Sequence, residues 1–154
     1  TRLQGDWSSD VCSSDLKICD KYKDKNKLNY IFAAELYLNS LQPESSGLKD
    51  VQSFTKDLSP EEMDAFKASP HILAIAYNIE GYKNLVRLTS WGWTKGFYRK
   101  PRVNYEQLKK HKEGLIFTSC CYNSEIGRAF DKGGEEAGFQ MLEKHLEMFG
   151  RENY

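Results

Sequence analysis

Two runs, His71–Tyr77 (H-I-L-A-I-A-Y) and Gly114–Ser119 (G-L-I-F-T-S), are short and almost wholly apolar. Segments of that length and continuity have the composition of buried strands, as a parallel sheet requires. Between and beyond them the apolar residues change to helical spacing. Ile79–Trp91 carries Tyr82, Leu85, Val86 and Leu88 on or near one face. Gly134–Phe149 carries Phe139, Leu142, Leu146 and Phe149, with Gly150 placed to end the helix. Tyr105–His111 and Ser124–Asp131 read as shorter helices. Strands alternating with helices predict an α/β fold with a largely parallel sheet.

Upstream, Asn29–Leu38 has the aromatic and β-branched content of a strand, with one charge, Glu35, inside its apolar run. A buried carboxylate is costly without a partner, so Glu35 is expected to be a ligand or a salt-bridged edge residue. Ser40–Pro70 is polar and broken by Pro43, Gly47, Pro60 and Pro70, and reads as an insertion over residues 40–70. Inside it, Ser59-Pro60-Glu61-Glu62 is a helix start: Ser as N-cap, Pro in the first position, acids in the first turn. Lys17–Lys27 reads as the end of a surface helix. Asp6–Leu16 is rich in Ser and Asp, has no periodicity, and resembles one reading frame of a sequencing adapter. Residues 1–16 are therefore expected to be an artefactual or disordered segment that packs on nothing, leaving 17–154 as the domain. No starting Met is present, so the natural N-terminus is expected to lie elsewhere.

The 22 basic and 22 acidic residues balance, which argues against a dedicated nucleic-acid-binding module with a basic face. It does not argue against a domain of a DNA enzyme whose DNA contacts lie elsewhere. The hydrophobic fraction of 40% suits one folded domain, and no apolar run has the length of a membrane span. The four cysteines, Cys12, Cys19, Cys120 and Cys121, have neither zinc-type C-x-x-C spacing nor the pattern of a secreted disulfide framework. A reducing cytoplasm is the expected compartment.

From His71 onward a series of short motifs follows in order. His71-Ile-Leu-Ala-Ile-Ala leads to Asn78-x-Glu80-Gly81-Tyr82-Lys83-Asn84-Leu85, then Thr94-x-Gly96-Phe97-Tyr98-x-Lys100-Pro101-Arg102. Lys110-His111-x-Glu113-Gly114-Leu115-Ile116, Ser119-x-Cys121 and Glu125-Ile126-x-Arg128 complete it. Together they resemble the second half of the PHP domain of the bacterial DNA polymerase III alpha subunits. Ile31–Tyr37 resembles an earlier strand of that domain, with Glu35 on its acidic position. Ala34 stands where Cys is usual, Gly127 where Pro is common, and the 40–70 insertion is long.

The resemblance implies a partial, distorted β/α barrel with metal ligands at its strand ends. Carried over by position, the implied ligands in this chain are Glu35, His71 and Cys121; no catalytic or DNA-binding residue is carried over. The implied ions are a divalent cluster of zinc or manganese, with magnesium serving the parent polymerase. A carboxylate can bridge ions, imidazole is a common borderline ligand, and a thiolate suits zinc. The implied parent is a DNA-directed DNA polymerase, a nucleotidyltransferase of DNA replication in the cytoplasm. Its partners would be DNA, nucleoside triphosphates, the proofreading exonuclease and the sliding clamp. In such proteins the PHP domain is either a metal-dependent 3′–5′ exonuclease or a degenerate scaffold. A stand-alone PHP phosphoesterase of the histidinol-phosphatase type is an alternative, as is a non-catalytic interaction domain.

Blander readings accompany the sharper ones. Cys120 is expected to be structural. His111 and His145, on helical stretches, are expected at the surface. Trp91 and Trp93, interleaved with Lys95, Arg99, Lys100 and Arg102, could form a nucleic-acid surface; packing of this loop onto the domain is the favoured expectation. Glu106–Glu113 reads as a solvated helix face.

Overall fold

The computed structural model describes residues 30–39 and 58–154, together with residues 17, 18, 20, 21 and 56. The chain divides into two units, Thr1–Ile31 and Phe32–Tyr154. In the first, the described residues Lys17, Ile18, Asp20 and Lys21 are helical. The expected artefactual segment 1–16 and most of the 40–70 insertion lie outside the described residues.

The second unit runs β1 (Phe32–Leu38), α1 (Pro60–Ala68), β2 (His71–Ala76), α2 (Ile79–Thr94), β3 (Arg102–Val103), α3 (Tyr105–Lys110), β4 (Leu115–Thr118) and α4 (Glu125–Phe149). The helix starts follow their capping residues. Ser59 accepts from the Glu62 N–H while Glu62 accepts from the Ser59 N–H, a reciprocal pair that fixes the first turn of α1. Asn78, Asn104 and Ser124 cap α2, α3 and α4 one-sidedly, accepting from the N–H groups of Gly81, Gln107 and Gly127.

The four described strands form one sheet in the order β3-β1-β2-β4. β2 is antiparallel to both β1 and β4, and β1 is parallel to β3. Three strands thus point one way and β2 alone points the other. Because β2 lies in the middle, two of the three ladders are antiparallel. This mixed sheet corrects the expectation of mostly parallel strands, and the described strands do not close into a barrel. The physical reason is that apolar composition reports burial, while direction is set by the connections, which composition does not record.

One face of the sheet carries the core. Leu36 and Leu38, Ile72 and Ala74, and Leu115 and Phe117 are buried there against Leu85 and Leu88 of α2 and Met148 and Phe149 of α4. Phe117 and Phe149 stack with centroids 4.2 Å apart. The alternate residues Glu35, Tyr37, His71 and Leu73 point to the other face, as a two-residue period requires. That face is only partly covered.

α2 meets the sheet through a close backbone approach. Tyr77 donates to the Gly114 carbonyl, and a Cβ built on Gly81 would lie 1.8 Å from that same oxygen. Gly114 itself has φ 73°, in the left-handed region. The Gly81 and Gly114 of the sequence motifs are therefore contact residues between the first turn of α2 and the turn before β4.

The two helices expected at Ser124–Asp131 and Gly134–Phe149 form one element kinked at Gly134, where φ is 72°. Its buried seam is Gly138, His145, Met148 and Phe149, whereas Phe139 is half exposed. The stripe expected from apolar residues alone is rotated, because the polar His145 occupies the core side.

A candidate metal centre on the open face of the sheet

Register places the first two candidate residues together. In the β1–β2 ladder Tyr37 pairs with His71 and Glu35 with Leu73, so Glu35 and His71 are diagonal neighbours on one face. Diagonal positions are within reach of long side chains. Glu35 ion-pairs with His71 Nδ1, its own side chain being 48% exposed and that of His71 17% exposed. The Tyr37 ring packs edge-on against the imidazole at 4.7 Å between centroids, which fixes the plane of the ring.

The third residue arrives by a loop. After β4 the chain turns back along the start of β2: the His71 N–H donates to the Asn123 carbonyl, and Ser124 bridges to His71. The Ser124 N–H closes the turn onto the Cys121 carbonyl. Cys121 Sγ is thereby held 3.6 Å from His71 Nδ1. Sulfur, carboxylate and imidazole converge on antiparallel β1 and β2 and the loop after β4, not on the neighbouring ends of parallel strands.

Sequence reasoning missed a fourth donor-type side chain in this neighbourhood. Cys120 is exposed, not a packed structural residue, and ligand atoms of Glu35, Cys120 and Cys121 all lie within 4.8 Å of one another. Partial desolvation and the Glu35 carboxylate push the Cys120 thiol up from its ordinary range. The vicinal pair in the sequence was the available signal. The donor set of Glu35, His71 and Cys121 fits a divalent ion: one carboxylate, one imidazole and one thiol sulfur, gathered on a solvent-accessible face.

The other candidates separate. His145 is 1% exposed, which corrects its expected surface position. Its Nε2 lies 3.0 Å from Glu125 Oε2 and its Nδ1 2.9 Å from the Tyr154 hydroxyl, while the Tyr105 hydroxyl also donates to Glu125. A carboxylate only accepts, so Nε2 carries a proton and, in the neutral ring, Tyr154 donates to Nδ1. His111 ends α3 half-buried, and desolvation lowers its pKa. Trp91 packs against the core, but Trp93 is 59% exposed and stacks on Phe97. Arg102 is buried between the rings of Phe66 and Tyr98 and donates to the Phe66 carbonyl. The loop-packing expectation therefore holds for Trp91 and Arg102 and not for Trp93.

The Tyr105–Glu125–His145–Tyr154 network sets a pH limit. Burial, reinforced by the Glu125 carboxylate, raises the Tyr105 phenol and pushes Tyr154 up to about 12. Both groups hold their protons more tightly folded than unfolded. Their contribution to stability is complete below the ordinary phenol value of about 10 and is lost as pH rises through the folded values. The thermal midpoint is expected to fall from about pH 10 upward, and this fall to flatten in Tyr105→Phe/Tyr154→Phe, measured by circular dichroism melts.

The family model for the PHP domain matches residues 14–154, and the chain belongs to that family. Among individual relatives, the DNA polymerase III subunit alpha of Deinococcus radiodurans is 40% identical over 91 residues, 59% of this chain and 7% of that protein. The subunit of Borreliella burgdorferi is 39% identical over 82 residues, and that of Thermus aquaticus 38% over 80 residues. The chain thus spans about 7% of the length of each of these curated relatives. Among the described residues no helix is long and apolar enough to cross a membrane.

Proposed function

We propose that this chain is a segment of the PHP domain of a replicative DNA polymerase III alpha subunit, in which Glu35, His71 and Cys121 are ligands of a divalent metal centre. The observation that carries the reading is the meeting of these three side chains, from two strands and a loop, on the uncovered face of the sheet. Glu35 supplies a carboxylate able to bridge ions, His71 an imidazole oriented by Tyr37, and Cys121 a sulfur that favours zinc over manganese. When bound, such ions activate water and neutralise the oxygens of a phosphodiester under attack. In the longer protein this centre is a 3′–5′ exonuclease site, working in the bacterial cytoplasm beside the polymerase and its replisome partners. The polymerase in turn draws nucleoside triphosphates and magnesium to carboxylates outside this segment. The approach of three ligand-type side chains to one another favours a working site over a degenerate scaffold.

The test is the contiguous genomic sequence on both sides of the segment. The proposal expects His-x-His and Asp-His motifs upstream, one further Asp-x-His downstream, and then a polymerase palm domain. A stop codon soon after the Asp-x-His would make the protein a stand-alone phosphoesterase, and loss of the upstream histidines would make the domain a scaffold.

A further inference from the structure

The metal reading above assigns three ligands, and the surroundings of Glu35 hold one more donor. Cys120 sits at φ 66°, in the left-handed region that L side chains rarely adopt. Its N–H donates to Thr118 Oγ1 at 3.2 Å, so the backbone at the end of β4 is held in this shape by a local bond. Nothing apolar draws the side chain there, for the residue is exposed. The unusual conformation places the Cys120 sulfur beside those of Cys121 and the Glu35 carboxylate, with ligand atoms within 4.8 Å of one another. Two neighbouring residues on an extended strand would point to opposite faces. A left-handed residue at the first of the pair lets both sulfurs reach the same carboxylate.

Resting on the metal-centre reading, we propose that Cys120 is itself a metal ligand. The ion would then be held by two thiolates, the Glu35 carboxylate and the His71 imidazole, the last reaching the set through Cys121 and Glu35. Four donors with two sulfurs are the choice of zinc or another thiophilic divalent ion and not of magnesium or manganese.

The experiment is a cobalt(II) titration of the reduced, metal-free chain in a Cys12→Ser/Cys19→Ser background, so that thiolate signals come from the vicinal pair alone. The near-ultraviolet thiolate-to-cobalt band counts the sulfurs on the ion, and zinc competition gives the affinity. Cys120→Gly is the decisive variant because glycine adopts the positive φ freely, and its melting temperature is expected to be unchanged or raised. The expected result is one ion per chain, a band that falls to half in Cys120→Gly, and a zinc affinity at least about 100-fold weaker, a direct ligand counting for no less than an outer-shell one. An unchanged band and affinity in Cys120→Gly, with both lost in Cys121→Ser and His71→Ala, would overturn the role of Cys120 and leave the three-ligand reading standing. Absence of any band in the parent chain would overturn both.

Discussion

Gly81→Ala is expected to destabilise the domain by about 3 kcal/mol or more, because it forces a side chain into a backbone contact that cannot yield. A Cβ at position 81 would lie 1.8 Å from the Gly114 carbonyl oxygen and 2.5 Å from its carbon. Both belong to the turn that starts β4, and that oxygen already accepts from the Tyr77 N–H. Relief would require moving the first turn of α2 away from the sheet. That would break the cap in which Asn78 Oδ1 accepts from the Gly81 N–H, as well as the Asn84 side-chain bond to the Glu113 carbonyl. Gly92, in the same helix, is the control. Its added Cβ would meet nothing nearer than 3.4 Å, so Gly92→Ala is expected to be neutral or stabilising by up to about 1 kcal/mol through helix propensity. Urea midpoints of the two variants should move in opposite directions, or one should fall while the other stays. A Gly81→Ala midpoint within error of the parent would show that α2 does not seat on the Gly114 turn.

His145→Ala is expected to cost about 3–5 kcal/mol, on the order of 10 °C in thermal midpoint for a chain of this size. The imidazole is 1% exposed and holds two partners at once, Glu125 of the first turn of α4 and Tyr154 beyond its end. It also packs edge-on to Phe149, 5.8 Å between centroids, and Phe149 stacks on Phe117 of β4. Truncation leaves a cavity and strips a nearly buried carboxylate of one of its two donors. Glu125→Gln, which keeps the shape and an acceptor, should cost clearly less. If His145→Ala melts with the parent, the network is not what fastens the two ends of the kinked α4. Glu125 belongs to the Glu125-Ile126-x-Arg128 motif, and in this structure it takes part in that fastening.

The helices were the most legible part of the chain. Ser59-Pro60-Glu61-Glu62 announces α1 because each residue satisfies a specific demand of a helix start, and the structure contains the full capping pair. The spacing of Leu85 and Leu88 gave the correct buried face of α2, though Tyr82 and Val86 lie at its margins. Strand existence was legible in His71–Ala76 and Leu115–Thr118, but strand direction was not. An apolar run looks the same read as parallel or antiparallel, and β2 is the reversed strand. His145 was misplaced because a polar residue in a core is visible only through its partners, and Glu125 and Tyr154 are far from it in sequence. At the candidate centre, Glu35, His71 and Cys121 were named from their positions along the motifs, and their side chains approach one another in the structure. Cys120 escaped because the vicinal pair alone does not show that a left-handed backbone turns both sulfurs toward Glu35.

Glu35, His71 and Cys121 are proposed to bind metal, with the rest of the centre lying outside this segment. The most direct measurement is the metal content of the purified, reduced chain after dialysis against micromolar zinc or manganese. Phosphodiesterase and 3′–5′ exonuclease assays are run on the same samples. Zinc is expected at no more than one ion per chain, in preference to manganese, with no hydrolysis. Glu35→Ala, His71→Ala and Cys121→Ser are each expected to lower retention at least about tenfold. Unchanged zinc retention in those three variants would contradict the ligand assignment. Two or more ions per chain, with activity lost in Glu35→Ala, would contradict the view that the rest of the centre lies outside this segment.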